Sequence, residues 1–462
     1  MQWDEFFPHF LKLSEAFLTK GCELFLVGGC VRDKLLGLEP KDYDLSTSAR
    51  PELTKEILES LPMVATTYPL GERFGTIAAK LGNGQQVEIT TFRKDVSSGR
   101  HPDVAFTDKL GVDLGRRDFR MNSLACSPDG TLVDPFGGRR DIENKVVACT
   151  GDAFARFAED PLRMLRAMRF VSKFGFSLES RTEKAIGDLG NSILSVSRER
   201  WLEEMDKLLV GTYAQEAIEL LAGTRLLWLL VPELLAVWQS GKLSTKAHKD
   251  LWLHTKTVVD RVPRRPDVRW AALLHDVAKP QTFGHKDGKI HFLGHDALGA
   301  EMADGIARRF KMSNSRRRAV RGLVFLHQRV SAAMGDDRQA NVRALRRLVR
   351  ECEERECRIE DLIDLFGADC SSMKASKQNM VAEQHAALTD ALGRMREEDL
   401  RPRLPAGVGN AIMEKFGLKP GPEVGRMRNR LDKMLLEGEI CVGDGIELML
   451  SKLGGLEGGT DP

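Results

Sequence analysis

The stretch VGGCVRDKLLGLEPKDYDLSTS, Val27 to Ser48, decides how the rest of the chain is read. Two adjacent glycines, Gly28 and Gly29, follow an apolar run from Leu24 to Val27, and the segment closes on an Asp42-x-Asp44 pair. An apolar run that stops at a glycine pair reads as a strand entering a tight turn, where backbone N–H groups can approach a phosphate. On a strand, residues two apart share a face, so both carboxylates can reach one or two hard cations. Mg2+ takes oxygen ligands and often shares them with substrate phosphates, so the turn and the acid pair suit one site. Each fragment alone reads equally well as a polar hairpin.

Moving outward, the runs ELFLVGG, TIAAKLG, QQVEITTF and TLVDPFGG have strand length and are punctuated by Gly and Asn, so the chain reads as α/β up to about residue 145. A third carboxylate for the acid pair is expected on a neighbouring strand, and Glu88 in QQVEITTF is the candidate. Beyond that the strand signal nearly vanishes. Leu162, Leu165, Met168 and Phe170 recur at close to helical spacing, and amphipathic helix dominates to about residue 450. The expected fold is α+β, an α/β head followed by an extended all-α body, with only the tail GGLEGGTDP frayed.

At 462 residues the chain exceeds one compact core, and about two to four domains are expected. No apolar run is long enough to cross a bilayer, and Met1-Gln2-Trp3-Asp4 lacks the basic start of a secretory signal, so a cytoplasmic protein without membrane partners is expected. The eight cysteines are dispersed without CxxC spacing, as reduced thiols would be. A net charge of +2 argues against a uniformly basic coat. The local clusters RRFKMSNSRRRAVRG and RALRRLVR read either as solvated helix faces or as RNA-backbone contacts.

Two further clusters flank the head's end. RRDF supplies Arg116, Arg117 and Asp118, with Asn122 four residues on; guanidinium forks suit phosphate and ribose oxygens, and Asp118 can accept from a ribose hydroxyl. In EDPLRMLRAMRF, Pro161 suits the first helical position, so Asp160 reads as the N-cap with Arg163 one turn on. Cytosine and adenine both present an exocyclic amino donor beside an unprotonated ring nitrogen. A carboxylate facing the first and a guanidinium facing the second would accept C and A and mismatch U and G. Capping and base reading compete for the same Asp160 oxygens.

GGCVRD followed by DYDLST, VEITTFR, RRDFRMNSLA, VDPFGGRRDI and EDPLR resembles the class II tRNA nucleotidyltransferases, the CCA-adding and poly(A) polymerase family of the polymerase-beta-like superfamily, in motif order and spacing over about residues 20 to 210. The resemblance implies transfer of CTP and ATP onto a tRNA 3′ hydroxyl. It implies two Mg2+ ions at Asp42 and Asp44 with Glu88 as the third acid, and Gly28, Gly29 and Arg32 around the triphosphate. Arg116, Arg117, Asp118 and Asn122 would select ribonucleotides, and Asp160 and Arg163 the base, with Glu159 and Arg166 in support. SVSRERWLEEMDKLL resembles the family's next helix, where Glu203 and Glu204 read as structural. Arg120 and Ser123 stand where the family usually has Thr and Ala. KDVSSGRH, after Arg93, is slightly shorter than the family's flexible loop, with His101 for a usual arginine, which leaves CC-only or A-only addition and poly(A) synthesis open beside CCA addition.

Further on, His254, His275-Asp276, His291 and His295 form a string of imidazoles with a carboxylate, a donor set for a divalent transition metal. The pattern resembles the HD phosphohydrolases, with Asp369 matching the final aspartate; His254, His275, Asp276, His295 and Asp369 are the implied ligands, and hydrolysis there is a separate candidate activity. GLKPGPEVGRMRNRLDKMLLEGEI breaks one helix at Gly417 and starts another near Glu423, resembling the tail of the HD-containing branch. The expected division is a head at 1–145, a base- and RNA-binding neck at 146–240, an HD-type domain at 241–375 and a tRNA-binding tail at 376–462. The residues leave the oligomeric state open.

Overall fold

The structure, a computed structural model, describes residues 9–70, 74–97, 103–242, 250–286, 289–334, 340–370, 375–400, 404–436, 439–440 and 444–454. The expectations placed on Met1-Gln2-Trp3-Asp4, on His101 and on the tail after Gly454 lie outside these residues.

The head is built on the strands Leu24–Val27 (β1), Tyr43–Thr47 (β2), Val64–Pro69 (β3), Thr76–Leu81 (β4), Gln86–Thr91 (β5), Arg93–Asp95 (β6), Val104–Phe106 (β7), Ala125–Cys126 (β8) and Leu132–Val133 (β9). Seven form one sheet in the order β3-β4-β5-β2-β1-β8-β9, and β6 pairs with β7 in a separate hairpin. Along β5 the residues alternate: Val87, Ile89 and Thr91 are buried while Glu88 points to the opposite face, the period of two that a half-covered strand requires. The β2–β5 pair is parallel and sets Asp44 directly opposite Glu88. Strand β2 begins at Tyr43, so Asp42 stands at its entrance and not on it; it is exposed, whereas Asp44 is half-buried.

After the head the chain is helical, as its periodicity indicates, apart from a two-residue parallel pair (Val146–Val147 with Ser177–Leu178) and a hairpin of Phe283–Lys286 with Lys289–Phe292. The helix Leu162–Phe174 buries Leu162, Leu165, Met168 and Val171, and Gly175, at φ 69°, closes it in a left-handed cap. Its other face carries Arg163, Arg166, Arg169 and Lys173, a basic stripe spaced by three, three and four residues. Helix Arg198–Leu209 packs beside it and buries Trp201, Met205, Leu208 and Leu209. The turn after this second helix presses on the first: the Tyr213 N–H donates to Ser172 O at 2.8 Å, and the Ser172 hydroxyl donates to Leu208 O at 2.5 Å.

The chain divides into two compact units, residues 1–331 with 347–381 and residues 332–346 with 382–462. The second unit has its own apolar core, where Val408 and Ile412 meet Leu431, Leu435, Leu450 and Leu453 from helices Val408–Phe416, Pro422–Leu436 and Ile446–Gly454. Gly417, at φ 64°, ends the first of these, as its position in the sequence implies. The described cysteines form no disulfide, and no helix among the described residues is long and apolar enough to cross a membrane.

A β-carbon at Gly211 would lie 2.0 Å from Ser172 Oγ and 2.6 Å from its carbonyl oxygen, so no side chain fits where this turn meets the helix. Gly211→Ala is expected to lower the unfolding free energy by about 1–3 kcal/mol. Urea denaturation reads this directly, and a wild-type midpoint would show that the turn moves freely.

Candidate active site

Gly28 and Gly29 stand where strand β1 gives way to a helix beginning at Gly29. Gly28 lies at φ 74°, its N–H donating to Leu124 O at 2.9 Å, and a β-carbon there would sit 2.5 Å from a terminal nitrogen of Arg117. The absent side chain is therefore the space through which Arg117 reaches over the turn. Arg32 is buried and committed within the chain: Nε and Nη2 donate to Asp33 Oδ1 at 2.8 and 2.7 Å, and Nη1 donates to Asn122 Oδ1. Asp44 and Glu88 share a carboxylate field. Burial raises the Asp44 carboxyl first, opposed by Arg117 and reinforced by Asp42; burial raises Glu88, and Asp44 and Asp42 add to it. An all-oxygen set of neighbouring carboxylates suits a hard cation.

Arg116 and Arg117 are held by a residue the motif reading passed over. Asp113 is fully buried; Oδ1 accepts from Arg116 Nε at 2.9 Å, and Oδ2 accepts from Arg117 Nη2 at 3.4 Å. Burial pushes Asp113 upward, but the two arginines outweigh it and hold its carboxyl below the usual range. A helical position one turn before a charged pair is the signal that could have found it.

Asp118 lines the cavity side of this cluster and is also bonded within the chain. Oδ1 accepts from the Phe119 N–H at 2.8 Å and Asn122 Nδ2 at 2.9 Å, and Oδ2 accepts from Arg166 Nε and Nη2 at 2.8 and 2.6 Å. Burial opposes its charge, yet Arg166 and Asn122 hold the carboxyl down at about 2. The structure thus joins Asp118 to Arg166 in an ion pair, the arrangement in which it acts as a strut between the head and helix Leu162–Phe174. Arg120 spans the same junction, pairing with Glu179 and lying 3.1 Å from Asp141. Ser123 shares a 2.7 Å hydrogen bond with Thr150.

Asp160 precedes the helix, which begins at Leu162, so Pro161 stands one position earlier than its sequence implies. Oδ1 accepts from the Leu162 N–H at 3.1 Å, which is the capping bond. The residue that the sequence did not single out is Arg200, whose Nη2 donates to Asp160 Oδ2 at 2.7 Å and whose Nη1 donates to Oδ1 at 3.3 Å. Arg163 Nη1 donates to Glu159 Oε2 at 2.7 Å and to Arg156 O at 3.2 Å, and Nη2 donates to Arg116 O at 3.2 Å. Each group keeps capacity in reserve: one lone pair on Asp160 Oδ2, and the Nε–H and one Nη2 proton of Arg163.

One cavity of about 1320 Å3 collects these groups, lined by Gly28, Gly29, Arg32, Asp42, Asp44, Arg116, Arg117, Asp118, Asn122, Asp160 and Arg163 among others; Glu88 stands behind Asp44 and is not in the lining. Eleven basic side chains face it against six acidic ones, so the cavity favours a polyanion. Ser98, Gly99, Arg100 and His101, the centre of the loop after Arg93, lie outside the described residues. The basic cluster from Arg308 is largely paired with acids: Arg309 with Glu233, Arg316 with Asp206 and Asp267, Arg317 with Asp304, Arg318 with Glu356 and Arg321 with Glu301.

The helical body holds the second group. His254, His275, Asp276 and Asp369 bring ligand atoms within 4.8 Å of one another, and Asp276, His295 and His327 do the same. His327 was not legible in the string of histidines, since it lies 51 residues beyond Asp276 at the end of helix Asn314–Leu326. His291 stays on the hairpin, outside both groups. His275, His295 and His327 each pair Nδ1 with a backbone carbonyl three residues earlier, at 2.8, 2.6 and 2.6 Å, which assigns a proton to Nδ1 and turns Nε2 inward; Gln328 Nε2 lies 3.1 Å from that of His295. Burial opposes a charge on His275, but Asp276 and Asp369 outweigh it and hold the imidazole up at about 10, so Nε2 keeps a proton to donate to Asp276 Oδ2 at 3.1 Å, one that a cation between them would displace. His327 Nε2 and Asp276 Oδ1, both buried, make no hydrogen bond among the described residues. Acceptors facing acceptors fit a cation between them, and the imidazole-carboxylate set suits a transition metal.

Residues 24–148 match the poly A polymerase head domain, residues 175–237 the probable RNA and SrmB-binding site of polymerase A, and residues 248–369 the HD domain. The CCA-adding enzyme of Geobacillus thermodenitrificans is 41% identical over 260 residues, covering 55% of this chain and 59% of the relative. The chain thus spans less than two thirds of that relative's length. The A-adding tRNA nucleotidyltransferase of Deinococcus radiodurans is 32% identical over 432 residues, 90% of this chain and 92% of the relative. The crystal structure of the Bacillus stearothermophilus CCA-adding enzyme in complex with CTP superposes with a TM-score of 0.62 at 26% identity, covering 98% of both chains.

The Asp118–Arg166 pair has a pH signature. A carboxyl held at about 2 in the folded chain contributes stability that is fully present above its ordinary value near 3.8 and is lost as the pH falls through 2. The contribution is roughly 2 kcal/mol. Asp118→Asn is expected to lower stability at pH 7 and to flatten the stability profile between pH 4 and 2, read from denaturant midpoints across that range.

Proposed function

Because the chain belongs to the class II tRNA nucleotidyltransferases, the family of the CCA-adding enzymes and poly(A) polymerases, we propose that it builds the CCA end of tRNA from CTP and ATP. The observation that carries this reading is the single cavity in which a glycine turn and acid pair from the head face Asp160 and Arg163 from the neck. One end suits a triphosphate and the other a nucleobase.

Asp42 and Asp44 hold the divalent ions in this reading, with Glu88 supporting Asp44 from the next strand. Bound there, Mg2+ supplies charge neutralisation at the α-phosphate and activation of the RNA 3′ hydroxyl. Arg117, leaning over Gly28, meets the triphosphate. The remaining lone pair of Asp160 accepts the exocyclic amino proton of C or A, and a free Arg163 N–H donates to the ring nitrogen beside it. Uracil and guanine present the opposite pattern and leave both protein groups unpaired, a mismatch that buried polar groups penalise strongly. Arg200 and the Leu162 N–H occupy the other Asp160 lone pairs, so the carboxylate is held in one orientation. Asp118, fixed by Arg166, sets the distance between the sugar and base ends. The four-part division into head, neck, HD-type domain and tail is retained as part of the proposal.

A second reading, addition of the terminal A alone, is favoured by the A-adding relative that aligns over 90% of the chain. tRNA ending before CCA, and separately ending in CC, is offered with labelled CTP or ATP. CCA addition expects both C and A incorporation; label from ATP alone supports the A-adding reading, and runs of many A residues support poly(A) synthesis. Asp42→Ala and Asp44→Ala are each expected to lower incorporation by about 100-fold or more, and Asp160→Ala by about 10- to 100-fold with relaxed choice of base. Incorporation that survives loss of the acid pair overturns the transferase reading.

The HD groups are proposed to hold one transition-metal ion each, Asp276 being common to both, and ions there would supply Lewis acidity for phosphoester hydrolysis. Chelation is expected to lower Tm, and His327→Ala to remove one of the two ions while His254, His275 and Asp369 keep the other. Elemental analysis of the purified chain decides: metal content unchanged by His327→Ala removes that residue from the site.

A further inference from the structure

The stretch ECEERECR, Glu351 to Arg358, carries two cysteines where one helix hands over to the next. Helix Val342–Glu354 ends here, helix Ile359–Cys370 begins, and Glu356 between them lies at φ 55°. A left-handed residue just past a helix end lets the chain fold back over its last turn. Two backbone bonds show the closure: the Glu356 N–H donates to Glu353 O at 3.1 Å, and the Cys357 N–H donates to Cys352 O at 3.0 Å. The residues joined by the outer bond bring their side chains together, a place that apolar residues ordinarily fill. Here both are cysteines.

That geometry fits a disulfide. A carbonyl and an N–H joined at 3.0 Å leave their Cα atoms no more than about 7 Å apart, the outer limit that a disulfide accepts. The two thiols already hydrogen-bond each other. Helix Asn314–Leu326 holds the backbone of the turn in place from the side. A β-carbon at Gly322 would lie 2.9 Å from Arg355 Cβ and 3.1 Å from Cys357 Sγ, Arg318 Nε lies 2.7 Å from Glu356 Oε1, and the Arg355 guanidinium stands 4.9 Å from the centre of the Phe325 ring. Rotation of two side chains is enough to bring the sulfurs into bonding distance.

The thiols are chemically unequal. The hydrogen bond from Cys352 draws the Cys357 thiol down, against burial and with help from Arg355, whereas giving that bond pushes the Cys352 thiol up. Cys357 is therefore the one that ionises, and the thiolate is the nucleophile. Both cysteines are buried, but Glu353, Glu354, Glu356 and Arg358 around them are exposed, so the pair lies directly beneath a surface turn.

We propose that Cys352 and Cys357 are a redox pair, oxidised by a small peroxide to a disulfide that staples the end of helix Val342–Glu354 to the entrance of helix Ile359–Cys370. The Cys357 thiolate attacks one peroxide oxygen and the O–O bond breaks; a sulfenic acid forms, and the departing hydroxide takes up the proton that Cys357 released, giving one water. Cys352 sulfur then displaces the sulfenic oxygen, which leaves with the Cys352 proton as a second water. Two electrons pass from the sulfurs to the peroxide, and a dithiol reductant reverses the bond. The staple falls on the helix whose far end presents Asp369 to His254 Nε2 at 2.9 Å.

The test uses the full chain, reduced and then treated with hydrogen peroxide, denatured, alkylated and digested with trypsin without reduction. Cleavage after Arg350, Arg355 and Arg358 leaves the peptides 351–355 and 356–358 joined only through a disulfide. Expected by mass spectrometry is that linked pair, two hydrogens lighter than the separate peptides, with six of the eight cysteines alkylated and all eight after dithiothreitol. The oxidised chain is expected to melt about 2–4 °C higher, reversibly, because a cross-link restricts the unfolded chain. Cys352→Ala is expected to show neither change. Alkylation of both cysteines after peroxide treatment overturns the proposal, as does a sulfinic or sulfonic acid on Cys357 without the linkage. Linked peptides with an unchanged Tm would mean that the bond constrains nothing, which overturns the staple. The peptide map needs only the wild-type chain, so it decides even where Cys352→Ala does not fold.

Discussion

A buried carboxylate must find its counter-charge, and Asp118 finds it in Arg166, across the boundary between sheet and helices. Four hydrogen bonds converge on those two oxygens. The two from Phe119 and Asn122 hold the carboxylate within the head, and the two from Arg166 tie helix Leu162–Phe174 to it. Everything downstream inherits that placement: the basic stripe on the helix faces the acid pair because Arg166, in the middle of the stripe, is tied down. Arg120 with Glu179 and Asp141 makes a second tie at the same junction, so the sheet and the first helices enclose one cavity.

The same logic of paired charges runs through the rest of the site. Asp113 holds Arg116 and Arg117, Arg200 holds Asp160, and Glu159 holds Arg163. Each functional group has a partner that orients it and leaves some hydrogen-bonding capacity open. Orientation by a partner is what allows a flexible side chain to discriminate between bases, since a rotating carboxylate would accept from any donor. In the helical body the device is different: there the backbone carbonyls of Ala272, Phe292 and Val324 orient the imidazoles by accepting from their Nδ1–H groups. Both arrangements spend local hydrogen bonds on aim.

Much of the site was legible because its chemistry is concentrated in short segments. Gly28 with Gly29, Asp42 with Asp44, the Arg116–Asp118 run and Asp160 with Arg163 each sit within a few residues, and QQVEITTF carries Glu88 on the strand beside Asp44. Arg200 was not legible, because its partner is distant in the chain, 40 positions away at Asp160; Asp113, one turn before Arg116 and Arg117, carried only the weaker signal of helical spacing. His327 is the clearest case. Nothing in FLHQR distinguishes it from a helix-end histidine until the fold carries it to Asp276.

By itself, then, the sequence determined the order of the elements, the α+β division, the short motifs and the chemistry they can perform, because periodicity and local spacing are properties of neighbouring residues. Tertiary structure alone decided that Asp118 is a strut between elements, that Arg200 steadies Asp160, and that Asp276 belongs to two ligand groups. Those facts depend on which surfaces the packing of Leu162–Phe174 against the sheet brings face to face, and no local pattern encodes a distance across that gap.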